Sequence, residues 1–470
     1  MKAAGCAIAS LLACILLVSG CGPRRAHVAS ADRKTLQEEF DELVRRSAEE
    51  YKSLGEKNAA IHYRAAVAAL PEPLEDEDFD FLMTFKLNTF PPRTIYEIEG
   101  AVEEIKRYAA AIPHLRRGAR MEGCNFGEDW SKGFEAPQDY LYETRNLTRR
   151  AAAYGKYLEA EGRPVEAASV YLDIMRLGYH VAQEPTLMSY QNGTVLLGVG
   201  VWGVKGVLAS DPGVAALEIL AEGLSKFPSR PLNLPRAVNT ERIVTGGWCR
   251  QTLLDGLDQG LEKVRAKLNP GGRHPMREVF AQAAESLLKE RIESWFREYS
   301  MLLKRLARAA EGTYYSNRNR MAKMSFLAEA YARNSSRRGN QIILLLFPGI
   351  PGKHKEARCE TSIAGVKLLA AAMLERAKTG KCPGSLEDIK KHFHGGLPVD
   401  PFTGKPFQYH VENGLPVFEC EGEGPETKKK FPEWFIFSPA ARRAYELERL
   451  EKWRKERAAK KAKQPPAAGG

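Results

Sequence analysis

The stretch GKYLEAEGRPVEAASVY, residues 155–171, predicts two helices joined by a tight turn. Small Gly155 on the first helix and aromatic Tyr171 on the second allow close approach of the helix axes, with a ring filling the groove between them. The segment Gly162-Arg163-Pro164 ends the first helix, because proline is tolerated only in the first turn of the next one. A helical hairpin is therefore the building unit that this sequence indicates.

A similar pattern lies nearer the N-terminus. Apolar residues recur there at the spacing of one helix face: Leu36, Phe40, Leu43 and Val44. The next helix, residues 58–66, has small Ala59 and aromatic Tyr63 and stops at Pro71, which resembles the second helix of a tetratricopeptide repeat. In the later hairpin, Tyr179 stands where that repeat has a proline. The resemblance thus implies degenerate hairpins rather than a regular repeat array.

The pattern changes after Pro348. A broad apolar stripe from Glu278 to Ala310 predicts a long core helix, and Pro and Gly residues at 348–352 indicate a domain boundary. An amphipathic helix is predicted at 361–378, followed by turns and three short strands, with Asn413-Gly414 between two of the strands. We predict a mainly α fold: a helical-hairpin body, residues 34–348, and a small α+β cap, residues 349–440.

Two turn motifs in the cap carry a second resemblance. Residues 380–386 read G-K-C-P-G-S-L, and residues 398–409 read P-V-D-P-F-T-G-K-P-F-Q-Y. After a helix, these resemble the globular part of the major (G-type) pseudopilins of type II secretion. The resemblance implies a pseudopilin-like fold for the cap. That family binds calcium through aspartates in a C-terminal loop, whereas the corresponding loop here, Glu421 to Glu426, contains no aspartate.

The first twenty residues have the layout of an export signal. Lys2 precedes an apolar run, residues 3–18, that is shorter than the roughly 20 residues a membrane-spanning helix needs. Leu17-Val18-Ser19-Gly20-Cys21 resembles a bacterial lipobox, which implies cleavage before Cys21 and lipid attachment to its thiol. An ordinary cleaved signal and an uncleaved anchor helix are the alternatives. We predict a signal peptide at 1–20 and a flexible tether at 21–33.

Positive charge is concentrated at the C-terminus. The whole chain of 470 residues has a net charge of +11. Residues 442–463 contain ten Lys or Arg against four Glu, so the segment 441–470 is predicted to be a basic tail, helical or disordered, with a solvated helix preferred. In an exported protein such a tail fits anionic lipid or cell-wall polymer, and nucleic acid is not an expected partner.

The cysteines leave the redox state open. Export permits disulfides, but five cysteines follow Cys21, and an odd number cannot all pair within the chain. These are Cys124, Cys249, Cys359, Cys382 and Cys420. A Cys382–Cys420 bridge and free buried thiols are both compatible with the spacing. No Cys-x-x-Cys motif occurs, so neither a zinc ribbon nor a thioredoxin-like site is supported.

Residues that could perform chemistry each have a simpler structural role. His392 and His394 have no third metal ligand nearby. Asp400, before Pro401, is expected to form a turn, and Cys124 with Asp129 lacks an identifiable base. The carboxylates Glu421, Glu423 and Glu426 could hold a cation, but a solvated loop facing Lys428, Lys429 and Lys430 is preferred. No catalytic residue, cofactor or metal site is therefore predicted.

Several short motifs together resemble a group of uncharacterised envelope lipoproteins of planctomycete and verrucomicrobial type. The motifs are residues 58–63, Cys124-Asn125-Phe126 with Asp129 and Gly133, residues 160–167, Glu184-Pro185-Thr186-Leu187, and Asp400-Pro401. The resemblance implies an architecture, helical hairpins followed by the cap, and no activity. We expect a lipid-anchored envelope protein, on the periplasmic side, that acts as a non-catalytic scaffold for an unknown protein partner. An envelope hydrolase acting on cell-wall or secreted polymer and a type II secretion accessory are the alternatives.

Overall fold

The structure is a computed structural model that describes residues 35–72, 89–259, 289–333, 353–393 and 395–463. Predictions for residues 1–34, for the part of the long helix at 278–288 and for the boundary near Pro348 therefore lie outside the described residues.

Helices dominate the described chain, with a small antiparallel sheet near its C-terminal end. The helices are α1 Leu36–Leu54, α2 Ala59–Ala68, α3 Ala101–Arg107, α4 Ile112–Arg120, α5 Tyr140–Ala160, α6 Pro164–Ala182, α7 Leu187–Ala209, α8 Val214–Lys226, α9 Leu234–Gln259, α10 Lys289–Ala310, α11 Tyr314–Arg333, α12 Lys353–Thr379, α13 Pro425–Lys430 and α14 Pro439–Lys463. The strands are β1 Gln408–Glu412, β2 Leu415–Glu419 and β3 Ile436–Phe437, and they pair in that order. The mainly α class with an α+β C-terminal part is confirmed.

The hairpin predicted from residues 155–171 forms the centre of the body. Helix α5 ends at Ala160 and α6 begins at Pro164. A Cβ atom at Gly155 would lie 2.7 Å from Tyr171 Cζ, and one at Gly203 would lie 2.1 Å from Tyr171 Cδ1. Tyr171 therefore fits between α5 and α7 only because both neighbouring helices present glycine to it.

Helices α5, α6 and α7 run up, down and up. Tyr140 and Ser189, near the starts of α5 and α7, are joined by a 2.6 Å hydrogen bond between their hydroxyls. Near the ends of the same helices, the Cβ position of Gly206 lies 3.3 Å from Lys156 Nζ. The outer helices α5 and α7 are therefore parallel, and α6 packs antiparallel to both.

The cap contains the predicted hairpin and a longer helix than expected. Asn413 and Gly414 both have positive φ, 51° and 72°, as a two-residue hairpin turn between β1 and β2 requires. The helix predicted at 361–378 begins earlier, at Lys353. It is not amphipathic as predicted, because residues 356–374 are buried almost throughout, including Lys367. Body helices and the sheet cover it.

Helix α14 joins the cap to the N-terminal half of the body. The side chains that face inward recur every three or four residues and are buried: Arg442, Glu446, Leu450 and Trp453. The prediction of a solvated helix, which rested on the charge count, is thus wrong for this face of α14. Arg454 Nη2 reaches Glu97 Oε1 at 2.5 Å, which ties the helix to the 3₁₀ helix Pro92–Glu97.

One described helix, α7, is long and apolar enough to cross a membrane. Of its most apolar 18-residue stretch, 72% is buried inside the protein. This burial identifies α7 as the central core helix of the body, where its glycines accommodate α5 and α6.

Candidate functional site

Three short motifs, distant along the chain, meet at one buried place, named here the motif junction: Asn58, Asn125, Phe126 and Glu184. Asn58 Nδ2 donates to Asn125 O at 2.8 Å, and Asn58 Oδ1 accepts from Asn125 N at 3.0 Å. The same Oδ1 accepts from Ala60 N at 3.1 Å and so caps α2. A single amide side chain both starts a helix and holds the neighbouring extended segment.

Glu184 closes the junction from the end of α6. Its Oε1 accepts from Phe126 N at 3.0 Å, and only 5% of the residue is exposed. Burial raises the pKa of Glu184 to about 8, although the bond from Phe126 favours the charged form. The group is thus largely a neutral carboxyl at neutral pH that fixes a backbone amide.

A ring cluster packs beside the junction. The ring centroids of Phe126 and Tyr140 are stacked 4.4 Å apart, and Tyr63 OH lies 2.8 Å from His180 Nδ1. Burial, together with the charge of Arg176, lowers the pKa of His180 to about 3. A neutral imidazole inside an aromatic core serves packing and does not supply a base at physiological pH.

Cys124 and Asp129 do not form a nucleophile and its partner. Burial raises the pKa of the Cys124 thiol well above its usual value, and nearby Glu184 raises it further. The Asp129 carboxylate is used locally: its Oδ1 accepts from Ser131 N at 3.2 Å and from Ser131 Oγ at 2.5 Å. Cys124 is therefore a protonated structural thiol, in agreement with the preferred interpretation.

The remaining sequence candidates lie in the cap and are also held by local contacts. Asp400 accepts from Phe402 N, Thr403 Oγ1 and Gly422 N at 2.9, 3.0 and 3.4 Å, which makes it the centre of two turns. His392 Nε2 lies 2.8 Å from Glu375 Oε1, while His394 is outside the described residues.

The acidic loop is paired with cations. Glu421 Oε1 accepts from Lys405 at 2.9 Å, and Glu423 accepts from Arg358 at 2.5 and 2.9 Å. The cations that pair with Glu421 and Glu423 are therefore Lys405 and Arg358, and not the lysines at 428–430 that the sequence suggested. Lys428 pairs with Glu419 instead.

The five cysteines after Cys21 are unbridged in the described chain. Cys382 Sγ lies 3.3 Å from Gly414 O, and Cys420 Sγ lies 3.7 Å from Phe435 O. Cys382 and Cys420 are therefore free thiols, and the disulfide considered between them does not form.

An open cleft, named here the seam cleft, lies where α7, the cap and α14 meet. Its lining includes all of the cleft's charged and aromatic side chains: Trp202, Lys205, Glu433, Phe437, Arg442 and Tyr445. Lys205 Nζ donates to Glu433 O at 2.7 Å and lies 4.3 Å from the Phe437 ring centroid. Arg442 Cζ lies 4.0 Å from the Trp202 ring centroid. Two cations are thus held against aromatic faces.

Lys205 has a strongly shifted pKa in the seam cleft. Burial, together with the charge of Arg442, lowers its pKa to about 7, with Glu433 opposing both. Around the cleft, the described lining side chains include one carboxylate and no histidine. The arrangement suits recognition of an anionic or aromatic group better than proton transfer between two groups.

Beneath the cleft lies a buried ionic cluster, named here the strap cluster: Lys156, Glu159, Arg442 and Glu446. Lys156 Nζ lies 3.4 Å from Glu446 Oε1 and 3.6 Å from Glu159 Oε2. Arg442 Nη2 reaches Glu446 Oε1 at 2.9 Å, and Tyr171 OH donates to Glu159 Oε1 at 2.6 Å. Burial raises the pKa of Glu159, with Lys156 opposing. These contacts fix α14 on the body.

A pair of carboxylates does occur between body and cap, at the start of α12. Glu356 Oε2 accepts from Tyr190 OH at 2.9 Å and from Leu234 N at 3.0 Å, and Lys353 pairs with its other oxygen. Burial, followed by the charge of Glu356, raises the pKa of Glu360 to about 7. Both residues are at most 4% exposed and neither lines the seam cleft, so the pair is sealed from ligands in this structure.

Sequence reasoning missed Lys205, Arg442 and Lys156. A signal existed for Lys205, because it is the only charged residue of α7 and lies in an otherwise apolar and small-residue helix. Arg442 was counted with the basic tail and could not be assigned to a cleft from spacing. Cys21, the predicted lipid-attachment residue, lies outside the described residues.

No known protein family matches the chain, and neither a curated protein nor a solved structure is detectably similar to it.

Proposed function

We propose that this protein is an exported lipoprotein, anchored to a bacterial membrane through lipid on Cys21, and that it acts as a non-catalytic docking module for a protein partner. The export layout of residues 1–20 supports the location. The observation that carries the docking role is the seam cleft, where the largely buried cations Lys205 and Arg442 lie against aromatic rings beside the partly exposed Trp202 and Tyr445.

The seam cleft has the side-chain types that dominate protein interfaces. Trp, Tyr and Arg are enriched among residues that contribute most to binding, and here Trp202, Tyr445 and Arg442 lie together. Lys205 adds a second cation whose one bond goes to a backbone carbonyl. A partner that inserts an acidic or aromatic side chain would match these groups.

The architecture implied by the two resemblances fits this role. Packed helical hairpins are the building unit of tetratricopeptide proteins, and the α5–α6 hairpin has this form, with most of its residues buried inside the body. The cap has a helix, two turns and a three-stranded sheet in the order of a pseudopilin-like domain. A role beside a type II secretion-like apparatus is the corresponding second proposal, and it predicts that replacing the cap abolishes association with that apparatus.

Mass spectrometry of the native protein tests the anchor. The N-terminal peptide should begin at Cys21 and have the mass of a diacylglyceryl cysteine, and Cys21→Ala should release the chain from membranes. An unmodified Cys21 in native material would contradict the lipoprotein assignment.

Site-specific photo-crosslinking in whole cells tests the docking role. A photoreactive phenylalanine derivative at Tyr445 should give one reproducible protein adduct. The same probe at Tyr96, which is 52% exposed and belongs to a different element, is the matched control. Identical adducts from both positions, or no adduct from Tyr445, would contradict docking at the seam cleft.

The alternative function is a hydrolase that acts on envelope polymer, with Glu356 and Glu360 as its two catalytic carboxylates. It requires an opening that brings both carboxylates to substrate, because they are buried here. Glu360→Gln should abolish polymer release by purified protein if the alternative is correct, and should leave partner crosslinking unchanged if docking is correct.

A further inference from the structure

The hairpin of α10 and α11 presents a basic surface that the roles described above do not use. Helix α10 buries a broad apolar stripe against the body, including Phe296, Tyr299 and Leu303. The residues on its opposite face recur every three or four positions and are exposed: Arg297, Met301, Arg305 and Arg308. Beyond the turn at Gly312, helix α11 also has exposed cations: helical spacing places Arg320 and Lys323 on one side of α11 and Arg318 on the other. These exposed residues are named here the basic hairpin face.

The charges of this face are not neutralised locally. Among the described side chains from 292 to 324, six exposed cations stand against two exposed acids, Glu298 and Glu311. None of these six cations takes part in an ion pair with a described residue. Apolar Met301 and Tyr315, which are 44% and 53% exposed, lie among the cations. Cations interleaved with exposed apolar side chains are the composition that binds anionic membrane surfaces.

The position of this face relative to the N-terminus is the second observation. Lys304, at the edge of the face, donates to Glu39 Oε1 at 2.7 Å, and Glu39 lies in the first turn of α1. The chain enters α1 at its N-cap, Thr35. Fourteen residues, 21 to 34, connect Cys21 to that point, and a chain of this length spans at most roughly 50 Å. The face is therefore beside the place where the tether from the proposed anchor reaches the body.

We propose that the basic hairpin face rests on a bilayer containing anionic phospholipid, beside the lipid anchor. The diacylglyceryl group on Cys21 supplies two acyl chains for anchoring, and an electrostatic contact beside it fixes the orientation of the body on the membrane surface. This inference rests on the proposed lipoprotein function and adds an orientation: α10 and α11 face the membrane. The seam cleft belongs to other elements, α7, the cap and α14, and is left for the protein partner.

The opposing expectation is that the basic tail makes the lipid contact. The solvent-facing side of α14 carries Lys452 and Lys455 together with Glu448, Glu451 and Glu456, a mixture of both signs. Arg454 and Arg457 bond Glu97 and its carbonyl oxygen. The described part of this helix is thus less suited to an anionic surface than α10.

Vesicle sedimentation with the chain from Gly22 to Gly470 tests the face without depending on acylation. Binding should be measured to phosphatidylcholine vesicles with and without 30% phosphatidylglycerol, at low and high salt. We expect binding only to the anionic vesicles, weakened by salt. The triple variant Arg297→Gln, Arg305→Gln, Arg308→Gln should bind at least tenfold more weakly, because each neutralised cation contributes roughly a fivefold change near the surface.

The matched control neutralises three exposed cations elsewhere: Lys429→Gln, Lys452→Gln and Lys455→Gln. It should change binding less than twofold, and both variants should retain the parent circular dichroism spectrum and melting temperature. Equal loss in the two variants, loss only in the control, or equal binding to both vesicle types would overturn the inference. Mass spectrometry of Cys21 is independent of these outcomes, so failure of the anchor and failure of the face are distinguishable.

Discussion

The motif junction and the strap cluster are both buried and polar, yet they are built in different ways. At the junction, Asn58 and Glu184 satisfy backbone groups of a single neighbouring segment, so each hydrogen bond has a fixed local geometry. In the strap cluster, Lys156 and Glu446 join two helices that are 290 residues apart along the chain through an ion pair with a long hydrogen bond of 3.4 Å. The difference indicates that the recognisable motifs build the frame of the body, while unremarkable charged residues decide how distant parts are assembled.

The strap cluster should show the largest effect of a single substitution. Glu446→Ala leaves Lys156 and Arg442 buried without their shared carboxylate, and removal of one partner of a buried ion pair costs about 3–5 kcal/mol. Urea unfolding should show this loss, whereas exposed Glu448→Ala on the same helix should change the unfolding free energy by less than about 0.5 kcal/mol. A loss for Glu446→Ala similar to that of the control would remove the contrast between the two regions.

The carboxyl at the motif junction should give an unusual pH dependence. Its folded pKa of about 8 lies above the value of an unfolded glutamate, so the native state binds the proton more tightly. Stability should therefore fall as pH rises from near 4.5 to 8, by roughly 2–4 kcal/mol from this group. Glu184→Gln should flatten that part of the curve, and exposed Glu135→Gln should not. Parallel curves for wild type and Glu184→Gln would show that this carboxyl is not neutral in the fold.

Asn58 tests whether local bonds carry the junction. Asn58→Ala leaves buried Asn125 N and O without their partner and removes the cap of α2, which should cost about 2–3 kcal/mol in unfolding free energy. Asn58→Asp retains the acceptor for Asn125 N and Ala60 N, and should lose less than half as much at pH 7. Equal losses would show that the donor to Asn125 O, rather than the cap, dominates.

The seam cleft should show the smallest effect on stability and the clearest effect on binding. Lys205→Met removes a buried cation whose hydrogen bond goes to a backbone carbonyl, and an apolar side chain of similar length packs against the same rings. We expect a change in unfolding free energy below about 1 kcal/mol. Crosslinking from Tyr445 to the partner should be lost. Unfolding of this variant, or retained crosslinking, would show that Lys205 is structural rather than a docking group.

The hairpins were predictable because their signals are local. Gly155, Gly162, Pro164 and Tyr171 specify two packed helices within one short stretch, and Asn413-Gly414 specifies a hairpin turn by its backbone preferences. The turn role of Asp400 followed from the same local logic. The extent of α12 was underestimated, since its charged first turns, including Lys353 and Glu356, are buried by pairing that periodicity does not reveal.

By itself, the sequence determined a helical-hairpin fold with a small strand-containing end, because glycine, proline and Asn-Gly act on the backbone within a few residues of themselves. Only the tertiary structure brought Lys205 to Phe437 and Lys156 to Glu446, and placed the α10 face beside the start of α1. Contacts of this kind join residues that are far apart along the chain. They are decided by how the helices pack, and no local pattern in the sequence encodes them.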